Sequence, residues 1–259
     1  MESVVSLNIS DLVNEDASLI SRRCWSDEGV YVLEKTGIFG KSWLFLGHES
    51  QIRAPGDFVQ AYMCETPIIL SRGQDGGIYA NINSCTHRGL PVCRADHGNT
   101  KRFVCPYHNW SYSVEGNLMT IPQESEVVRK PDKTQLGLKR VPRVESWRGM
   151  IFGSFDEAII PLDEYLGDMR FYLDAFFDRF PAGIEFMGAP HRWVINANWK
   201  LPVENQLGDV NHGAFLHSAI IPKEAQDIIE QLGHSVVTTP GHGATFRLMP
   251  ENTPVDDVA

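Results

Sequence analysis

The chain has little positive charge to spare. Its 23 lysines and arginines face 33 aspartates and glutamates, a formal net charge of −10, which disfavours nucleic acid or an anionic membrane as a partner. Long apolar runs are missing, and no stretch approaches the length that crosses a bilayer. The N-terminus, Met1 to Asn8, has no basic region followed by an apolar one, so it is not read as a secretory signal. Cysteine is scarce, five in 259 residues, an odd number without a disulfide framework, and this suits a reducing compartment. Internal repeats and low-complexity segments are absent. These absences predict a cytoplasmic protein long enough for one large or two modest domains.

What is present is a distinctive set of metal ligands. Cys85-Thr86-His87-Arg88-Gly89 is followed, seventeen residues after His87, by Cys105-Pro106-Tyr107-His108. Each short stretch offers one thiolate and one imidazole, and two of each make the ligand set of a Rieske [2Fe–2S] centre. Soft thiolates suit the iron that stays ferric, while neutral imidazoles place less charge on the other and raise its potential. The alternative is a Cys2His2 zinc site, whose usual spacing pairs Cys with Cys and His with His. Mixed pairs favour the iron–sulfur reading. Cys93 and His97 could be mistaken for a further pair, but spare buried thiols are commoner than ligands.

Along the chain, residues 1–40 read as helical, with Ser10 or Asp11 capping a first helix through Arg23. Ser26-Asp27-Glu28 begins a second, and Gly37 stops it. From Ser42 to about Phe155 short apolar or alternating runs begin at Trp43, Phe58, Pro67 and Ile78. Turns such as Ala54-Pro-Gly-Asp57 and Gln74-Asp-Gly-Gly77 divide them. They predict an antiparallel sandwich of small sheets with the ligand loops at one tip, and Val114 to Leu118 as a hairpin turn. A basic run, Arg129, Lys130, Lys133, Lys139, Arg140, Arg143 and Arg148, reads either as a solvated face or as a docking patch for an acidic electron donor. After Pro161 a helix is expected, capped by Asp163 and carrying Tyr165, Leu166, Met169, Tyr172, Leu173, Phe176 and Phe180 at helical spacing. Phe186 to Leu201 reads as a strand.

A second anchor begins at Pro202, a residue favoured at the first position of a helix. Asp209 and His212 share a helix face, so the Asp209 carboxylate can accept the second ring proton of His212. His212 and His217 are five apart, about 140° of rotation on an ideal helix. They converge only if the helix ends or bulges between them, which Gly213 permits. Two histidines with one carboxylate form the facial triad of non-haem Fe(II) oxygenases. Alone, this spacing reads more readily as structural histidines; coupled to the cluster motif, it reads as iron ligands.

Together, Cys85 to Gly89, Cys105-Pro-Tyr-His-Asn-Trp110, Asn198-Trp-Lys200, Glu204-Asn205, Gly208-Asp209 and His212/His217 closely resemble the large (α) subunit of Rieske non-haem iron aromatic ring-hydroxylating dioxygenases, of the naphthalene and biphenyl type. The resemblance runs from about Trp43 to the end of the chain. It implies an α+β fold in which an all-β Rieske domain fills residues 41–157. Residues 1–40 would pack on a catalytic domain, and residues 158–259 would be the N-terminal part of that α+β, helix-grip-like domain.

The same resemblance implies a [2Fe–2S] cluster on Cys85, His87, Cys105 and His108 and a mononuclear Fe(II) on His212 and His217. Asp209 would bridge to the cluster of a neighbouring subunit in a trimer, which in some relatives also includes a β subunit. Asn205 joins it as a catalytic-site residue, and Glu204 stands behind the ligands. In the family a third iron ligand, an aspartate, lies far downstream, so the chain looks C-terminally truncated; Asp256 and Asp257 lie in a polar tail. Asn211 stands where the family often has tyrosine. The implied activity is cis-dihydroxylation of an aromatic hydrocarbon with O2 and electrons from NADH, through a reductase and usually a ferredoxin. Asn205, Leu207, Phe215 and Leu216 would line the pocket. Monooxygenation or demethylation by the same fold is the alternative, as is an inactive electron-transfer fragment lacking the third ligand. From other classes, a pure electron carrier would lack the His212/His217 motif, and a zinc-stabilised binding module would be colourless.

Overall fold

The computed structural model describes residues 8–126, 131–209, 212, 216–220, 233–239 and 241–247. Two compact units emerge, one of residues 31–165 and 177–193, the other of residues 1–30, 166–176 and 194–259. The first unit is built from ten short strands: β1 (Leu44–His48), β2 (Asp57–Met63), β3 (Thr66–Arg72), β4 (Ile78–Ile82), β5 (His97–Asn99), β6 (Arg102–Val104), β7 (Ser111–Ser113), β8 (Leu118–Thr120), β9 (Arg143–Trp147) and β10 (Met150–Ser154). They form three antiparallel sheets, ordered β4-β3-β2-β5, β6-β7-β8 and β1-β10-β9. The expected sandwich of small sheets is present.

The four-stranded sheet is buried on both faces, and its period-2 alternation sends side chains to two cores. Phe58 and Ile69 join Phe103, Tyr112, Val114, Leu118 and both ligand cysteines on one side. Val59, Ala61, Met63, Ile68 and Leu70 join Leu46, Ile52, Val141 and Ile151 on the other. This explains why β2 and β3 read as continuous apolar runs rather than strict alternation. Full burial of Ile68, Ile69 and Leu70 contributes about 2 kcal/mol each.

The β9–β10 hairpin turns on Arg148 and Gly149, with φ of 52° and 81°, the left-handed pair of a type I′ turn. A Cβ on Gly149 would come within 2.5 Å of His48 Nε2. Gly149→Ala is therefore expected to cost about 2 kcal/mol, from left-handed strain together with displacement of the His48 ring. A urea midpoint unchanged from wild type would refute this.

Three expectations about local structure change. The helix from Ser10 to Arg23 is not formed; a 3-10 turn at Ile9–Asp11, a bridge between Val13 and Ile20, and a single helical turn α1 (Arg23–Ser26) stand there. Asn14 accepts the Leu19 N–H and Asp16 accepts both the N–H and hydroxyl of Ser18. These side chains offer the backbone a turn in place of a helix. The second helix is as expected, α2 (Glu28–Gly37), with Asp27 accepting the Gly29 N–H.

Beyond Pro161 there are two helices, α3 (Leu162–Leu166) and α4 (Met169–Phe177), separated at Gly167, whose φ is +48°. Asp163 lies inside α3 rather than capping it; the Glu145 carboxylate accepts the Leu162 N–H at 2.9 Å. Residues 186–199 form no strand. Among the described residues none offers them a ladder, and side-chain bonds hold the first of them instead. Ser50 Oγ accepts the Phe186 N–H, Gln51 donates to Gly188 O, and Arg192 donates to Gln60 O.

In the second unit, α5 (Lys200–Leu207) starts from Asn198, whose side chain accepts the Lys200 N–H. Pro202 is the third residue of α5, still within the turn where no intrahelical N–H partner is needed. The strands β11 (Gly233–Thr238) and β12 (His242–Arg247) form an antiparallel hairpin, and Thr245 donates to the Gln206 carbonyl.

Candidate metal centres

The first ligand loop leaves β4 and the second links β6 to β7. They are built to one plan. In the first, the Cys85 N–H donates to Leu90 O at 2.9 Å and the Gly89 N–H to Cys85 O at 2.7 Å. In the second, the Cys105 N–H donates to Trp110 O at 2.8 Å and the Asn109 N–H to Cys105 O at 2.9 Å. The fifth position of the pattern is left-handed in both, Gly89 at φ 79° and Asn109 at φ 57°. Glycine and asparagine are the residues that reach this region most readily.

These loops bring the four expected ligands together. Both cysteines are buried, and the His87 and His108 rings meet with centroids 4.6 Å apart. Trp110 lies flat against His87 at 4.8 Å, and Tyr107 stacks on His108 at 3.8 Å. The His108 Nδ1 atom is buried without a hydrogen-bond partner. A buried, unpartnered ring nitrogen is costly unless a metal takes its lone pair. Burial first, then the His87 ring and the Arg88 guanidinium, hold His108 below the usual histidine range, which favours the neutral, ligating imidazole. Two thiolates and two imidazoles in this arrangement fit a [2Fe–2S] group.

Residues that carry no motif hold the first loop in place. Buried Asn83 accepts the N–H groups of Val92 and Cys93 at 2.9 and 3.0 Å and donates to Cys93 O at 2.8 Å. Gln60 donates to Ala95 O at 2.8 Å. Fully buried Tyr112 places its hydroxyl 3.2 Å from Cys85 Sγ. Burial, then the bond to Cys85, raise its pKa above the usual tyrosine range, so the hydroxyl keeps its proton. Spare Cys93 is buried and its thiol pushed up by burial. Thr86 was visible only as a spacer within the ligand motif, and Asn83 and Tyr112 carried no sequence signal beyond neighbouring the ligands.

At the second anchor, His212 and His217 come together with ring centroids 5.7 Å apart. Asp209 contacts His212 differently from expectation. Its carboxylate accepts the His212 backbone N–H at 3.0 Å, and its backbone carbonyl meets ring Nδ1. The reason is that α5 ends at Leu207, so Asp209 caps a new turn instead of sharing a helix face with His212. That contact occupies ring Nδ1 and would leave Nε2 as the nitrogen available to a metal. Half-buried Asn205 lies on α5, and no described contact joins it to the histidines. Exposed Glu204 supplies its carbonyl to the Gly208 and Asp209 N–H groups. Leu207 lies against Gly243 of the hairpin, and Leu216 is exposed. Asn211, Gly213, Phe215, Asp256 and Asp257 lie outside the described residues.

The basic run is largely occupied locally. Lys133 pairs with Glu124, Arg143 with Glu145 and Arg148 with Asp178, while Arg140 lies over Tyr79. Lys139 remains exposed; Arg129 and Lys130 lie outside the described residues. Among the described residues no helix is long and apolar enough to cross a membrane.

Residues 42–142 match the Rieske [2Fe-2S] domain family. Over 204 residues the chain is 43% identical to the α subunit of benzene 1,2-dioxygenase from Pseudomonas putida, spanning 79% of this chain and 45% of that one. The crystal structure of naphthalene 1,2-dioxygenase from Rhodococcus sp. bound to indole superposes with a TM-score of 0.79 at 40% identity, over 88% of this chain and 53% of that one. A quaternary ammonium Rieske monooxygenase in complex with an inhibitor superposes at 0.65 with 26% identity, over 76% of this chain and 54% of that one. The chain spans about half the length of the curated relatives it matches. The antiparallel cluster domain, its paired ligand loops and these likenesses establish that the chain belongs to the Rieske aromatic ring-hydroxylating dioxygenase α-subunit family.

Proposed function

We propose that this chain is part of the large subunit of a terminal oxygenase that cis-dihydroxylates an aromatic hydrocarbon with O2. NADH would supply the electrons, through a reductase and a ferredoxin. The observation that carries this reading is the pair of matched loops, each offering one cysteine and one histidine, with His108 Nδ1 buried and unpartnered. When bound, the cluster supplies one-electron transfer and a mononuclear non-haem iron supplies O2 activation.

The residues divide the work. Cys85 and Cys105 would hold one iron of the cluster and His87 and His108 the other. His212 and His217 would hold the mononuclear iron, with the Asp209 carbonyl fixing the His212 tautomer. Asp209 and Asn205 would serve the catalytic site, Asp209 as the polar link to the cluster of a neighbouring α subunit in a trimer. No third ligand for that iron stands among the described residues. Residues 41–157 would form the cluster domain, with residues 1–40 and 158–259 belonging to the catalytic part. The five unpaired cysteines support a cytoplasmic setting. Lys139 is the exposed remnant of the donor-docking reading. A second reading, monooxygenation by the same fold, draws on the likeness to the quaternary ammonium monooxygenase.

Total iron against acid-labile sulfide in the anaerobically purified chain tests the site. About two irons per two sulfides is the cluster alone, and about three means that His212 and His217 also hold iron. A colourless chain without labile sulfide refutes the assignment. In the complete oxygenase, a cis-dihydrodiol from naphthalene supports dioxygenation, and a singly hydroxylated product supports the second reading.

A further inference from the structure

Around Cys85 Sγ the hydroxyl protons can be counted. Thr86 Oγ1 donates to the Leu136 carbonyl at 2.7 Å. A carbonyl has no proton to return, so the only hydroxyl proton of Thr86 is committed there. The Thr86 backbone N–H donates to the Tyr112 oxygen at 3.2 Å. One proton then remains, that of the Tyr112 hydroxyl, and two acceptors face it: Thr86 Oγ1 at 3.0 Å and Cys85 Sγ at 3.2 Å.

We propose that Thr86 is a positioning residue that divides the Tyr112 proton with the Cys85 sulfur, and so holds the potential of the cluster below what an undivided hydrogen bond would give. This rests on Cys85 being a cluster ligand. A hydrogen bond to a ligand sulfur stabilises the more negative, reduced state and raises the potential. Every fraction of that bond spent on Thr86 Oγ1 is withdrawn from the sulfur. The threonine hydroxyl can compete because Leu136 has already taken its proton, which leaves it as an acceptor. A residue beside the ligand thus sets the potential without touching iron.

The test is a reductive titration of the full chain, reconstituted anaerobically and followed by the visible spectrum of the cluster. Thr86→Val, which keeps the shape and removes the acceptor, should raise the potential. Thr86→Ser should stay near wild type. Tyr112→Phe should lower it, and adding Thr86→Val to Tyr112→Phe should change nothing further, because no proton is left to divide. An unchanged or lowered potential in Thr86→Val overturns the proposal. So does the same upward shift in the Tyr112→Phe background, which would mark a change of solvation instead. If Thr86→Val does not retain a cluster, Thr86→Ala is titrated in its place. Loss of the cluster from both, with Thr86→Ser intact, overturns the proposal in favour of a structural role. A wild-type chain without labile sulfide overturns this inference together with the ligand assignment. A wild-type cluster with no response at Thr86 overturns the inference alone.

Discussion

Asp209→Ala in the complete oxygenase is expected to cut product formation by ~10–100-fold, the usual cost of losing a group that supports a metal-bound histidine, while iron and sulfide contents hold. The structure separates two contributions of this residue. Its backbone carbonyl meets His212 Nδ1, and alanine keeps that carbonyl, so the ligating tautomer survives. Its carboxylate accepts the His212 N–H, and alanine loses both this cap and the negative charge. Asp209→Asn tells the two apart, since an amide oxygen can still cap the turn. If asparagine restores turnover, capping was the whole contribution; if it is as impaired as alanine, the charge was needed between the two redox centres. Normal product formation by Asp209→Ala would remove the bridge assignment altogether.

Asn83→Ala should damage the cluster domain itself. One amide side chain satisfies two buried backbone N–H groups and one carbonyl, at Val92 and Cys93. Deleting it strands the two N–H groups in a space that excludes water, while the Cys93 carbonyl keeps only a longer bond from Gln60 at 3.4 Å, at an expected cost of about 3 kcal/mol. For a domain of this size that lowers Tm by roughly 6–12 °C. The loosened segment begins two residues after Leu90, which closes the first ligand loop, so visible absorbance should bleach ahead of the far-UV transition. A Tm within about 2 °C of wild type would show that the segment finds other partners.

The two centres differ in how far sequence could reach them. Cys85, His87, Cys105 and His108 were legible because each pair sits within one tight turn, where spacing alone fixes the geometry. The strands around them were legible from alternation and turn residues. Tyr112 was not, because it meets Cys85 across 27 positions, and nothing local marks a tyrosine that will face a sulfur. Asn83 was missed for a similar reason, its partners lying nine and ten residues on. Helical spacing after Pro161 suggested one long helix, yet Gly167 stands left-handed and divides it. Phe186 to Leu201 had the composition of a strand, but a strand needs a neighbour, which composition does not supply. The role of Asp209 turned on a single local fact, the end of α5 two residues before it.

The matched ligand loops also have a meaning for design. Each is six residues long, Cys85 to Leu90 and Cys105 to Trp110, closed by two backbone bonds of its own and turning on one left-handed position. Neither closure borrows a partner from outside the loop. They are cassettes in the sense that a six-residue insert of this kind brings its own closing bonds to the strand ends that receive it. A recipient scaffold has to supply the spacing between two such inserts, a core deep enough to bury the sulfurs, and anchoring side chains of the kind Asn83 and Tyr112 provide around the first loop.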